Sequence, residues 1–267
     1  MPPKTPLRIL CFGDSLTSGY HSYGGGENPY ADALVDRLAN ALPEDAYHIT
    51  VVVNGRPGDV ASRQPFQRRL REQLEAQSFD WVIVLGGTND LANMASAHDV
   101  FNALKTSWDM ALAKGSKVLA LTVPECHAKV KWLNASRRAL NASILAHEQT
   151  NFYTFDLFAK IPYHSLPQQD RDAFWDDGLH LTADGYNWMG RHIADGLLPI
   201  LEQQILEQQI LEQQHRPEQQ HRPEAAKPAT RKRRTKSADD GPAFDEEAGS
   251  PNIISQGYVV VRRRDLD

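Results

Sequence analysis

Residues 7–17 read LRILCFGDSLT, a short apolar run followed at once by small and polar residues. The run Leu7–Phe12 is almost continuously apolar, which is typical of a β-strand covered on both faces. Gly13 and Asp14 interrupt the run, so the strand is predicted to end there and Ser15 to follow in a turn. Such a strand belongs in a parallel sheet flanked by two layers of helices.

Four further runs share this apolar or β-branched character: Tyr47–Val53, Trp81–Leu85, Lys117–Val123 and Phe152–Phe155. Five segments carry apolar residues at helical spacing, namely Pro29–Ala41, Gln64–Ala76, Ala97–Lys114, Trp132–Glu148 and Asp184–Leu198. The alternation predicts an α/β fold, a three-layer, doubly wound, five-stranded parallel sheet with right-handed crossovers. Ligands of such sheets bind beyond the carboxyl ends of the strands, so the loops there are predicted to build the site.

The composition of the chain changes after Leu198. The pentapeptide ILEQQ recurs at Ile200, Ile205 and Ile210. Five residues advance a helix by about 140° net, so the apolar pairs move around its surface and form no heptad seam that would specify an oligomer. We predict a folded domain over residues 1–200, Leu/Glu/Gln low-complexity repeats over 201–224 and a disordered charged tail over 225–267.

Charge and hydropathy exclude several classes of protein. The 267 residues include 29 Lys and Arg against 34 Asp and Glu, a net charge of -5, so no nucleic-acid partner is expected. Apolar runs such as Val82–Leu85 are far shorter than the roughly 18 residues of a membrane span. The N-terminus has no secretory apolar segment, and the two cysteines form no disulfide framework, so a cytoplasmic location is predicted. The basic cluster Arg231–Arg234 offers nuclear import as a weaker alternative.

The loop after the first predicted strand does not match the usual phosphate-binding or nucleophile motifs. The patterns GxGxxG, GxxxxGK[ST] and GxSxG are all absent, which argues against nucleotide binding and the usual α/β-hydrolase fold. Ser15 either caps the following turn or acts as a nucleophile. Its role therefore depends on what the other loops carry.

Two later loops carry polar groups suited to acyl transfer. The third strand is followed by GGTND, in which the Asn89 amide either stabilises an oxyanion or caps a turn. In DGLH, Asp177 lies three residues before His180 and can accept a hydrogen bond from Nδ1, which leaves Nε2 to take a hydroxyl proton. Asp177 and His180 could also be two ligands of a metal ion, but two ligands without a third make no metal site.

Together these loops resemble the SGNH, or GDSL, hydrolase superfamily of esterases and lipases. The resemblance covers roughly residues 7–198 and rests on three blocks in the family order: GDSL at 13–16, GTND at 87–90 and DGLH at 177–180. It implies the flavodoxin-like fold of that family. It also implies that Ser15 is the nucleophile, His180 the general base and then acid, and Asp177 the residue that orients His180. Asp14 is interpreted as structural.

The resemblance further implies an oxyanion hole formed by the Ser15 N–H, the Asn89 side chain and a glycine N–H after the second strand. The sequence NGRPGD at 54–59 offers two glycines for this role. Gly58 is the expected donor, because Gly58-Asp59-Val60 resembles the end of the family's second block. Gly55 is the alternative.

The activity implied is hydrolysis of carboxylic esters through an acyl-enzyme, without a metal or organic cofactor and with a small, soluble acyl ester as partner. The loops Tyr20–Pro29, with Tyr23, and Leu157–Asp176, with Tyr163 and Trp175, are expected to frame the substrate, although such aromatics equally suit packing. Two alternatives are an acyltransferase with the same catalytic residues and a catalytically idle interaction module.

Overall fold

The computed structural model describes residues 4–43 and 47–214. Its described residues form seven strands: β1 (Thr5–Gly13), β2 (Tyr20–His21), β3 (Gly26–Glu27), β4 (Tyr47–Gly55), β5 (Trp81–Leu85), β6 (Lys117–Leu121) and β7 (Phe152–Phe155). Five of these strands make one parallel sheet in the order β4-β1-β5-β6-β7. The short strands β2 and β3 pair as an antiparallel hairpin. The predicted doubly wound, five-stranded sheet is confirmed.

Nine α-helices lie within the described residues: α1 (Ser15–Ser18), α2 (Tyr30–Ala41), α3 (Gln64–Ala76), α4 (Thr88–Ala92), α5 (Ala97–Ala113), α6 (Lys131–Leu145), α7 (Leu157–Lys160), α8 (Gln168–Phe174) and α9 (Ala183–Gln214). The five longest are those that the apolar spacing predicts. The short helices α1, α4, α7 and α8 are not predicted, because a segment of four to seven residues completes too few turns to show a helical period.

Side chains on β1 divide between two apolar clusters, one on each face of the sheet. Ile9 and Cys11 join the cluster formed with α2 and α9, whereas Leu10 and Phe12 join the cluster formed with α3, α5 and α6. All four residues are fully buried. Successive residues of a strand point to opposite faces, so a run without polar positions reflects helices on both sides.

The predicted domain boundary after residue 200 falls inside α9, which continues to Gln214. Leu201 is 6% exposed and belongs to the core, and Ile205 packs against it. Nearby, Lys117 Nζ donates a hydrogen bond to Gln204 Oε1 at 2.9 Å. The five-residue register prevents a long apolar stripe along the helix. A single buried turn is nevertheless enough for the first repeat to pack against the core.

Further predictions concern parts of the chain away from the sheet. The charged tail predicted over residues 225–267 lies outside the described residues, as do residues 215–224 and the cluster Arg231–Arg234. Within the described part of the chain, no helix combines the length and apolarity needed to cross a bilayer. Cys11 and Cys126 are both buried and form no disulfide.

Leu201→Ala is expected to lower the free energy of unfolding by about 2 kcal/mol or more, because it leaves a cavity in the core. Leu206→Ala is the matched control on the same helix, where the side chain is 57% exposed and the change should stay within about 0.5 kcal/mol. Urea unfolding followed by circular dichroism measures both. Equal effects would show that the first repeat does not pack.

Candidate active site

The turn after β1 places Ser15 at the sheet's carboxyl edge, between the ends of β4 and β5. Asp14 caps α1, since its Oδ1 accepts a hydrogen bond from the Leu16 N–H at 3.0 Å. Gly13 pairs with both Gly55 of β4 and Leu85 of β5. The loops that follow these three neighbouring strands therefore start side by side around Ser15.

Ser15, His180 and Asp177 lie in one line of hydrogen bonds. His180 Nε2 is 3.0 Å from Ser15 Oγ, and His180 Nδ1 is 2.8 Å from Asp177 Oδ2. Asp177 Oδ1 also accepts the N–H groups of Leu179 at 2.9 Å and His180 at 2.7 Å. The structure thus brings together three predicted site residues, although Ser15 and His180 are 165 positions apart.

The environment of Asp177 favours its charged form. Burial alone would raise the pKa of Asp177, but the hydrogen bonds from His180 and Leu179 outweigh it and hold that pKa below its ordinary value.

Within the described residues, no group of three or more His, Cys, Asp or Glu side chains is arranged to hold a metal ion.

The hairpin of β2 and β3 packs against the loop that carries Asp177 and His180. The ring of Tyr20 lies against the His180 imidazole, with centroids 4.8 Å apart. The Tyr186 hydroxyl donates to the Tyr20 carbonyl at 2.8 Å, and the Ser22 N–H donates to the Asp176 carboxylate at 2.6 Å. Tyr20 therefore limits the movement of the imidazole from one side.

The two candidate glycines after β4 occupy different environments. A Cβ on Gly55 would lie 2.2 Å from the backbone nitrogen of Ser18, so this position requires glycine for close packing. Gly58 lies in a turn closed by the hydrogen bond from Asp59 N–H to Arg56 O, with a φ of +75° and open space where a Cβ would be. Among the described residues, no acceptor bonds to the Gly58 N–H, which suits a donor that meets a ligand.

Asn89 lies in the short helix α4, directly after the loop that follows β5. Its Nδ2 donates to the Asp59 carbonyl at 2.8 Å. An asparagine amide has two N–H groups, so one remains for a ligand while the other fixes the orientation of the side chain. The turn that contains Gly58 and the Asn89 amide are therefore coupled through Asp59.

Arg69 and Asp90 support the loops of the site, and the sequence pattern does not assign them this role. The Asp90 carboxylate is fully buried and accepts the N–H groups of Ala61 and Ser62, both at 2.8 Å. Asp90 is the last residue of the block GTND and directly follows Asn89. The bonds themselves join segments about 28 residues apart, which no local pattern reveals.

Arg69 joins the first two loops. Its guanidinium pairs with Asp59 Oδ2 at 2.8 Å, donates to the Gly13 carbonyl at 2.8 Å and lies over the Phe12 ring, 4.2 Å from the centroid. It also donates to Asn54. A signal in the sequence is the arginine beside Leu70 on the buried side of α3, where a charge needs a partner.

Asp14 is buried next to Ser15, with 1% of its surface exposed. Burial raises the pKa of Asp14 to about 7, the Leu16 N–H opposes that change, and the nearby Asp90 and Asp59 carboxylates add to it. Asp14 Oδ2 has no hydrogen-bond partner among the described residues. Its carboxyl group thus binds a proton more tightly in the folded chain than in the unfolded chain.

Asp14→Asn is expected to change how stability depends on pH. The folded pKa of about 7 exceeds the ordinary value of 3.8, so raising the pH between these values destabilises the wild type through this group. Asparagine stays neutral and keeps an acceptor for the Leu16 N–H. The Tm of the variant relative to wild type should therefore rise from about pH 5 to about pH 8 in scanning calorimetry. Asp36→Asn, on the exposed face of α2, should show no such rise; the same change in both variants would contradict the assignment.

The aromatic residues of the two flanking loops separate into packed and exposed groups. Tyr163 and Trp175 belong to the apolar core, with ring centroids 5.2 Å apart. Trp175 therefore packs beneath the loop, which was the alternative to framing the substrate. Tyr23 is 87% exposed on the hairpin that contacts His180 through Tyr20.

Several solved structures share this fold. Est24, a carbohydrate acetylesterase from Sinorhizobium meliloti, is 20% identical with a TM-score of 0.56, over 73% of this chain and 99% of that one. An aryl esterase from M. smegmatis is 19% identical with a TM-score of 0.54, over 72% and 99%. A carbohydrate esterase family 3 protein from Talaromyces cellulolyticus is 14% identical with a TM-score of 0.56, over 74% and 99%.

Comparison at the level of sequence gives a family. No curated protein matches the chain. The sequence model of the GDSL-like lipase/acylhydrolase family matches residues 11–188, a range that contains Ser15, Asn89, Asp177 and His180. This match covers most of the parallel sheet and every loop described above. The chain therefore belongs to the GDSL-like lipase/acylhydrolase family of ester hydrolases.

Proposed function

We propose that the chain is a serine esterase that hydrolyses carboxylic esters through an acyl-enzyme on Ser15. The observation that carries this proposal is the line of hydrogen bonds from Ser15 Oγ to His180 Nε2 and from His180 Nδ1 to Asp177 Oδ2. A hydroxyl so connected can lose its proton to the imidazole as it attacks a carbonyl carbon.

In the first half of the reaction, Ser15 Oγ bonds to the ester carbon while His180 Nε2 takes the hydroxyl proton. The carbonyl π electrons move to oxygen, and the N–H groups of Ser15, Gly58 and Asn89 stabilise the resulting oxyanion. Collapse of this intermediate breaks the bond between the carbonyl carbon and the alcohol oxygen, and this oxygen takes the proton that His180 holds. The alcohol leaves and the acyl group stays on Ser15.

In the second half, water takes the place of the alcohol. His180 removes a proton from the water, the hydroxide attacks the acyl carbon, and Ser15 Oγ leaves with the proton that His180 returns. Asp177 keeps its negative charge throughout and stabilises the imidazolium. The lowered pKa of Asp177 supports this role.

Short acyl esters are the proposed substrate class. Two similar structures are named as carbohydrate esterases, one of them an acetylesterase, and another as an aryl esterase. The exposed Tyr23 beside the site suits contact with a sugar or aryl face of the alcohol.

A fluorophosphonate probe and a panel of 4-nitrophenyl esters test this proposal. The probe should add covalently to Ser15, located by peptide mass spectrometry, and should not label Ser15→Ala. Turnover should be highest for short acyl chains, and product analysis with added glycerol separates hydrolysis from acyl transfer. A folded wild-type chain that neither reacts at Ser15 nor releases nitrophenol would overturn the proposal.

A further inference from the structure

A surface cavity of about 420 Å³ lies next to the loop that carries Asp177 and His180. Six residues line it, and four of them have basic side chains, namely His127, Lys129, His164 and Arg171. The other two are Ala128 and Tyr163. The mechanism above gives these residues no role. We refer to this cavity as the basic cavity.

The wall of the basic cavity touches the chain between Asp177 and His180. The His127 N–H donates to the Gly178 carbonyl at 2.6 Å. A Cβ on Gly178 would lie 2.6 Å from the His127 Cβ and 3.6 Å from the Tyr163 hydroxyl. A molecule bound in the basic cavity therefore lies next to the loop that presents His180 to Ser15.

Lys129 and Arg171 are the two permanent cations that line the basic cavity. Neither Lys129 nor Arg171 forms an ion pair within the described part of the chain. Arg171 donates to the carbonyls of Tyr163 at 3.1 Å and Leu166 at 2.8 Å, and it lies over the Tyr163 ring at 5.1 Å. These contacts hold the guanidinium in place and leave its charge available to an anion.

The Glu125 carboxylate binds the backbone of two residues that line the basic cavity. Glu125 Oε2 accepts the N–H groups of Tyr163 at 2.7 Å and His164 at 2.9 Å. His164 Nε2 is buried and has no hydrogen-bond partner among the described residues. An unbonded buried polar atom is unusual in proteins, and this one belongs to a residue that lines the basic cavity.

We infer that the basic cavity is a subsite for an anionic group, a carboxylate or a phosphate, carried by the ester substrate. This inference rests on the proposed esterase function. Two permanent cations, one of them a guanidinium suited to bidentate contact, match such a group. A neutral acyl chain gains no comparable contact, so the subsite selects acidic esters.

Inorganic phosphate tests the binding step without catalysis. Calorimetric titration of Ser15→Ala protein with phosphate should give a dissociation constant that Lys129→Gln and His164→Gln each raise by about tenfold or more. Lys114→Gln removes an equal charge at the end of α5, near the opposite edge of the sheet, and should leave the constant unchanged. Phosphate that fails to bind, or that binds equally to all four proteins, would overturn the inference.

Matched esters test the link to substrate. Wild-type protein should favour mono-4-nitrophenyl esters of succinate, glutarate or adipate over neutral esters of equal chain length. Lys129→Gln should reduce that preference by about tenfold, with kcat/KM for the neutral ester unchanged. An unchanged preference would overturn the substrate role even if phosphate binds. Loss of turnover on every ester, with phosphate binding intact, would instead count against the serine esterase mechanism.

Discussion

Ser15→Ala and His180→Ala are each expected to lower kcat/KM for an ester by about 10⁴-fold or more. Without Oγ there is no nucleophile to acylate, and without the imidazole there is no base within the 3.0 Å that separates Nε2 from that oxygen. The two side chains act as one unit, so the double variant should be little worse than either single variant. Initial rates on a 4-nitrophenyl ester measure all three.

Ser143→Ala and His48→Ala are matched controls, because both side chains are exposed at the amino edge of the sheet, Ser143 near the end of α6 and His48 near the start of β4. They should retain wild-type rates, and all the variants should melt near the wild-type temperature. Turnover close to wild type by folded Ser15→Ala protein would contradict the mechanism.

Asn89→Ala should lower kcat by about 10²–10³, or roughly 2.7–4 kcal/mol, with KM changed only a few-fold. Negative charge develops on the carbonyl oxygen only as Ser15 attacks, so the amide stabilises the transition state more than the bound ester. The hydrogen bond from Asn89 Nδ2 to the Asp59 carbonyl holds the amide in place before the reaction starts. Steady-state kinetics separate the two parameters.

Asn89→Asp should be at least as damaging, because it keeps the shape of the side chain but puts a negative charge beside the oxyanion. Asn93→Ala is the control: its exposed amide donates to the Asn89 carbonyl and should matter little. A rise in KM with kcat preserved would make Asn89 a residue that positions substrate or closes a turn.

The strands of the sheet could be predicted because each one leaves a local signature. Trp81–Leu85 is buried at every position, and both its observed ends match the apolar run. The end of α9 could not be predicted in this way. Burial of Leu201 depends on surfaces brought close by the sheet, which the five-residue register does not encode.

The residues of the candidate site also divide into those that the sequence predicts and those that it does not. Ser15, Asn89 and His180 occur in short blocks whose residue types point to acyl transfer. Arg69 and Tyr20 do not, because their roles depend on partners far along the chain: Gly13 lies 56 positions from Arg69, and the ring that Tyr20 contacts is that of His180. Contacts of this length follow from the topology of the sheet.

Because Ser15 and His180 must meet for the proposed reaction, the return of activity during refolding reports when their contact forms. Ser15 directly follows the first strand of the sheet, whereas His180 precedes only the last described helix. Parallel strands pair across long stretches of chain, and such contacts form late because their loops must close first. During refolding, helical signal should therefore return before ester hydrolysis, and recovered turnover marks the moment when the two ends of the domain meet.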